Sequence, residues 1–153
     1  MTMLRGFASL AALALLCVAL SSAASAQTPR KAPPLRPDLV IGGLHTVPDI
    51  LPFVAGNQVQ SGKAFLACFV VENVGLAASG NFRVQGSALG LPAAPFQDHA
   101  GLARGASRAG CVRYPTTPAP GGYKLVIRVD SLNAVAESNE ANNTGAMDLV
   151  VLP

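Results

Sequence analysis

The sequence predicts an all-β, antiparallel sandwich of about seven strands preceded by a signal peptide, and three observations carry that reading. Beyond Ala26 the apolar residues recur with a period of two, and no stretch shows the three-to-four spacing of a helix. Gly, Pro, Asn and Asp punctuate those runs at short intervals, as antiparallel strands with short connections require. The stretch from Asp38 to Pro153 is the size of one sandwich and too short for two cores.

The amino terminus comes first. Met1 to Arg5 is short and basic, Gly6 to Leu20 is apolar, and Ala24-Ser25-Ala26 is a small-residue cleavage site, together the pattern of a Sec-type secretory signal peptide over residues 1–26. The apolar run is shorter than the ~20 residues that span a bilayer, so no stable membrane span is expected after cleavage. Cys17 follows Leu16 rather than a small residue, which argues against a lipoprotein site. The expected location is periplasmic or secreted. Residues 27–37 alternate Pro29, Pro33, Pro34 and Pro37 with Arg30, Lys31 and Arg36, a composition for an extended linker. The domain proper is 38–153. Half the chain, 50%, is hydrophobic, but the leader contributes part of this, so it does not indicate a membrane protein.

Within the domain, Leu39 and Ile41 alternate in a first strand. Gly62-Lys63 turns the chain into Ala64–Val71, the strongest strand. Phe82 and Val84 begin the next. Gly86 to His99 is poorly patterned, and Pro92 and Pro95 break any strand there; the strands of residues 86–106 stay unassigned. Ala109–Tyr114 forms another strand. Tyr123–Val129 sets Tyr123, Leu125, Ile127 and Val129 against Lys124, Val126 and Arg128, and Met147–Leu152 closes the domain.

Between the last two strands, Val129 to Asn143 packs Asp, Asn and Glu too densely for an ordinary turn. Asp130, Val135, Glu137, Glu140, Asn142 and Asn143 form a Val-Asp, small apolar, Glu-x-x-Glu-x-Asn-Asn pattern that resembles the CARDB family, bacterial immunoglobulin-like domains named for cell adhesion. Pro37-Asp38-Leu39-Val40-Ile41, Val71-Glu72-Asn73-Val74-Gly75, Gly101-Leu102-Ala103-Arg104-Gly105 and Gly122-Tyr123-Lys124-Leu125 resemble further family motifs in the same order, so the likeness covers nearly the whole domain. Each motif is weak alone; order and spacing make the match specific. The resemblance implies an immunoglobulin/fibronectin-III-like sandwich and a non-catalytic adhesion or interaction role. The two cysteines and the Gly86–His99 segment depart from the pattern.

Export leaves Cys68 and Cys111 in a compartment where disulfides persist. If Phe65, Ala67, Phe69 and Val71 face the core, as the family pattern suggests, Leu66, Cys68 and Val70 face outward, as does Cys111 beside inward Val112 and Tyr114. Immunoglobulin-like topology sets these two strands side by side, where a cross-strand disulfide would stabilise by about 3 to 4 kcal/mol. Leu66 and Val70 are apolar where a solvated face should be polar. Either the proline-rich linker or the Gly86–His99 segment covers them, or a partner protein does.

On the opposite sheet Arg83, Gln85, Lys124 and Arg128 share an outward face, a modest basic stripe that either discourages aggregation or attracts an anionic envelope polymer or acidic protein. In the Asp/Asn/Glu segment, Asp130, Asn139, Asn142 and Asn143 are expected to cap backbone amides. Asp130, Glu137 and Glu140 also offer oxygen ligands for calcium, but not at the spacing of a loop-wrapped site, so no metal or other cofactor is assigned. Asn142-Asn143-Thr144 fits a glycosylation acceptor. Enzymatic function is not expected: His45 and His99 lie in patternless stretches, and Gly56–Lys63 differs from a phosphate loop in spacing and in having Ala64 where a hydroxyl is needed. Nucleic acid is not an expected partner, for want of interleaved exposed aromatics and of a helix to enter a groove. The remaining readings are an exported interaction module, a structural or chaperone-like periplasmic protein, and a calcium-dependent carbohydrate or matrix binder.

Overall fold

The structure is a computed structural model that describes residues 32–48 and 56–153. The signal peptide and residues 27–31 of the linker lie outside the described residues. Eight strands form the domain: β1 (Leu39–Pro48), β2 (Gln58–Gln60), β3 (Phe65–Asn73), β4 (Phe82–Gly86), β5 (Phe96–His99), β6 (Ser107–Tyr114), β7 (Gly121–Arg128) and β8 (Thr144–Leu152). One sheet has the order β1-β3-β6 and the other β2-β8-β7-β4-β5.

Period-two alternation explains which residues meet between the sheets. Phe65, Ala67, Phe69 and Val71 of β3 face Val84 of β4, Leu125 and Ile127 of β7, and Leu149 and Val151 of β8, all buried. Burying each such large side chain contributes roughly 1.5 to 3 kcal/mol. Tyr114 closes one end of this core. Its ring stacks on Phe65 at 4.5 Å between centroids, and its hydroxyl donates to the Ser87 carbonyl at 2.7 Å. The ring crosses Gly86, where an added Cβ would lie 2.2 Å from Tyr114 Oη, so only glycine fits.

Two strands escaped the sequence pattern. β2 has three residues and pairs in parallel with β8, too short to show periodicity. β5 occupies the segment expected to be broken by proline. It begins directly after Pro95, whose carbonyl accepts from Gly86 N at 2.9 Å, and as an edge strand it loses nothing by a preceding proline. His45 and His99 therefore sit in β1 and β5 rather than in irregular segments. Gly56–Lys63 holds a bridge to Thr46, strand β2 and the Gly62 turn, not a strand-to-helix loop. β6 starts earlier than expected, at Ser107, and β8 earlier, at Thr144. The linker's last residues belong to the fold: Pro37 is buried, and the Arg36 carbonyl accepts from Leu76 N at 2.8 Å.

Candidate functional site

The Asp/Asn/Glu segment leaves β7 at Val129 and closes one end of the sandwich. Asp130 is fully buried with φ 45°, a left-handed conformation that Asp tolerates better than most residues. This turns its carboxylate back along the loop. Oδ1 accepts from Ala134 N and Oδ2 from Val135 N, each at 2.9 Å, while the Asp130 carbonyl accepts from Asn133 N. Val135, held by that bond, is buried in the core.

Glu137 is 2% exposed and ties the loop to the beginning of the domain. Its Oε2 accepts from Leu39 N of β1, and its Oε1 from Asn143 Nδ2 at 2.9 Å. Its own N–H donates to Glu140 Oε1 at 2.9 Å, and Ser138 N donates to the Pro37 carbonyl at 2.8 Å. Asn142 Nδ2 reaches Asp38 Oδ1 at 2.8 Å. Burial pushes the Glu137 carboxyl above the usual range, the bonds from Leu39 and Asn143 oppose this, and the charges of Glu140 and Asp130 add to it.

The segment is thus a clasp between the first strand and the last hairpin. It caps amides as the composition implies, but the roles fall differently among its residues. Asp130 caps two amides and Asn139 Oδ1 one, Ala141 N at 3.1 Å. Asn142 and Asn143 instead donate through Nδ2, and Glu137 supplies the cap across the fold. Asn73 extends the clasp: it is 1% exposed, its Oδ1 accepts from Asp38 N and Gly75 N at 3.1 Å, and its Nδ2 reaches the Ala77 carbonyl at 2.8 Å. The sequence signalled Asn73 only through its place in the Val71–Gly75 turn. A Cβ on Gly75 would lie 2.4 Å from Asp38 N, so the chain passes there only because residue 75 is glycine.

The carboxylates of Asp130, Glu137 and Glu140 bring oxygens within 4.8 Å of one another. Asp130 and Glu137 are buried and Glu140 is exposed. All the donors are hard oxygens, the type that calcium or magnesium takes.

The remaining sites lie on the two outer faces. Cys68 and Cys111 are opposite each other in the β3–β6 register and joined by a disulfide. Leu66 and Val70 flank Cys68 and are half-buried, with Val47 and Gly42 of β1 on one side and Arg113 and Ala109 of β6 on the other. On the five-stranded sheet Arg83, Lys124 and Arg128 share a face, but each has a partner. Arg83 forms a two-bond pair with Asp98 at 2.7 and 2.9 Å and stacks over Phe96 at 3.9 Å. Lys124 pairs with Asp148 at 2.9 Å, and Arg128 Nη2 donates to Asn133 Oδ1 at 2.8 Å. The stripe is therefore less cationic than its sequence suggests. Arg83 in turn holds the Asp98 carboxyl below its usual range.

The family model described as CARDB matches residues 36–147. Among solved structures, the CARDB domain of a Pyrococcus furiosus protein, crystallised in complex with di-metal ions, is 21% identical, with 76% of this chain and 90% of that chain covered and a TM-score of 0.57. The solution structure of the same P. furiosus domain is 20% identical over 76% of this chain and 96% of that one, also with a TM-score of 0.57. A domain of a candidate cell-surface protein from Methanosarcina acetivorans is 27% identical over 76% and 93% of the two chains, with a TM-score of 0.56. No curated protein matches the sequence.

Proposed function

Because this chain belongs to the CARDB family, we propose that it is an exported bacterial interaction module, non-catalytic, that binds a protein or an anionic polymer at the cell envelope or outside the cell. Family membership across residues 36–147 is the observation that carries this reading, and the signal-peptide pattern of residues 1–26 supports the location. The fold is consistent with it: the densest set of polar side chains binds the protein's own backbone and holds the sandwich shut. The contact surface we favour is the outer face of β1-β3-β6 around Leu66 and Val70, whose apolar side chains lie beside the disulfide. The face with Arg83, Lys124 and Arg128 is the weaker candidate, because Asp98 and Asp148 offset two of its charges.

Cross-linking on intact cells followed by pull-down tests the reading. A reproducible envelope partner that is lost in Leu66→Asp, at an unchanged fold by circular dichroism, is the expected result. Recovery of no partner would favour the structural or chaperone-like alternative, and binding untouched by Leu66→Asp would move the contact elsewhere.

A second reading rests on the Asp130, Glu137 and Glu140 oxygens lying within 4.8 Å of one another. A calcium ion there would use second lone pairs of carboxylates that already accept N–H bonds. Millimolar calcium should then raise Tm in the native protein and not in Glu140→Gln; an unchanged Tm removes this reading.

A further inference from the structure

We propose that acidification releases β5 from the edge of the larger sheet, because the one side chain that anchors this strand between the two sheets is a histidine. Phe96, Gln97 and Asp98 are exposed, and of the four residues only His99 is buried. Its ring is shared between the layers. It stacks on Phe82 of β4 at 5.3 Å between centroids and meets Phe69 of β3 edge-on at 6.1 Å. Gly110 of β6 leaves room for it: a Cβ there would lie 3.1 Å from His99 Cε1. The other ties of β5 are slight. Among the described residues it pairs with β4 alone, through four residues. The Arg83–Asp98 pair lies on the outer face, its side chains 27% and 63% exposed, and such solvated ion pairs contribute little.

The slot suits a neutral ring. Nε2 is buried and has no hydrogen-bond partner among the described residues, so protonation would place a charge where no acceptor meets it. Two charged groups act on the ring: Arg108 of β6 repels the imidazolium, and Asp98 of β5 attracts it. β3 and β4 present Phe69 and Phe82, which do not titrate, and Arg83 of β4 is turned to the outer face by Asp98. Burial outweighs both charges and Arg108 adds to it, so the docked ring titrates below its ordinary value of 6.5 and regains about that value once the strand leaves. The support that His99 gives to docking is therefore complete above pH 6.5 and is lost as pH falls through the lower docked value. With so short a ladder to break, β5 opens at a lower free energy than the core strands. Its release makes β4 the new edge of the sheet.

Amide hydrogen exchange of the mature protein, read by NMR as protection factors in low concentrations of urea, tests this. Between about pH 7 and about pH 5 the paired amides of Phe82–Gly86 and Phe96–His99 should lose protection roughly tenfold. They should exchange with little dependence on urea, the mark of an opening that exposes little surface, whereas β3 and β7 show the full urea slope of global unfolding. His99→Phe, which keeps an aromatic ring in the slot, should abolish the loss at the β4–β5 edge. Arg108→Gln, which leaves the histidine in place, should shrink it. No loss, or the same loss in His99→Phe, would show that His99 does not hold the strand, and a loss carrying the full urea slope would show that the whole domain unfolds instead; each overturns the proposal. Should His99→Phe fail to fold, an undiminished loss in Arg108→Gln overturns it equally.

Discussion

Asp130 and His99 are the two buried polar residues whose surroundings make the sharpest demands. Replacing Asp130 by Ala would strip two backbone N–H groups of their acceptor and put a β-carbon without hydrogen-bonding capacity at φ 45°. The expected loss is about 2 to 4 kcal/mol, read as a lower midpoint in urea with an unchanged slope. His99 is 8% exposed, stacks on Phe82 at 5.3 Å, and its Nε2 has no partner among the described residues. Burial, reinforced by Arg108 and opposed by Asp98, pushes its imidazole below the ordinary value of 6.5. Folding therefore favours the neutral ring. The stability this contributes is present above pH 6.5 and is lost as pH falls through the lower folded value. Glu137 runs the other way: its folded value lies above 4.5, so stability is lost as pH rises through it. Thermal melts between about pH 7 and about pH 5 should show His99→Phe, which keeps a ring on Phe82, losing less stability on acidification than the native chain. An identical decline in both would show that His99 is not the titrating group.

At the scale of elements, β3 is the strand on which the smaller sheet is built, and two devices hold β6 to it. The first is the Cys68–Cys111 disulfide, with a sequence separation of 43. The chain-entropy model gives such a closure about 4 kcal/mol, on the order of 10 °C in Tm for a domain this size. Melting with and without a reductant checks this, and mass spectrometry of the unreduced protein should find no free thiol in the domain. The second is the contact of Tyr114 with Phe65 and across Gly86. Gly86→Ala would drive its β-carbon into the tyrosine hydroxyl and should cost about 1 to 3 kcal/mol, the range of overpacked cores. Adding Tyr114→Phe removes the colliding oxygen, so the double variant should lose less than the sum of the single losses. Simple additivity would mean that the strain lies elsewhere.

Across the whole molecule, the clasp joins the two ends of the domain's sequence. The Glu137 bond to Leu39 spans 98 residues, and that of Asn142 to Asp38 spans 104. A chain beginning at Pro33 should melt as the longer chain does, whereas one beginning at Val40 loses the Arg36, Pro37, Asp38 and Leu39 contacts and should melt well below it or fail to fold. Similar melting of both would show that the clasp is dispensable. Repeated alternation was enough to read the fold class and the two faces of β3 and β7, because period two is local and recurs along each strand, whereas the inward face of β3 and its neighbouring with β6 came from the family resemblance. The two shortest strands were not legible: three or four residues hold too little pattern, and the prolines before β5 mask an edge strand that tolerates them. The basic stripe was read from the strands that became β4 and β7 alone, so Asp98 of β5 and Asp148 of β8, brought in by pairing, went unseen. By itself the sequence determined that this chain is a CARDB-like sandwich and which side chains alternate inward, since both follow from local order and spacing. Only the tertiary structure decided that Glu137 serves as the clasp on β1 and that the stripe's cations are paired, because each depends on residues brought together from distant parts of the chain.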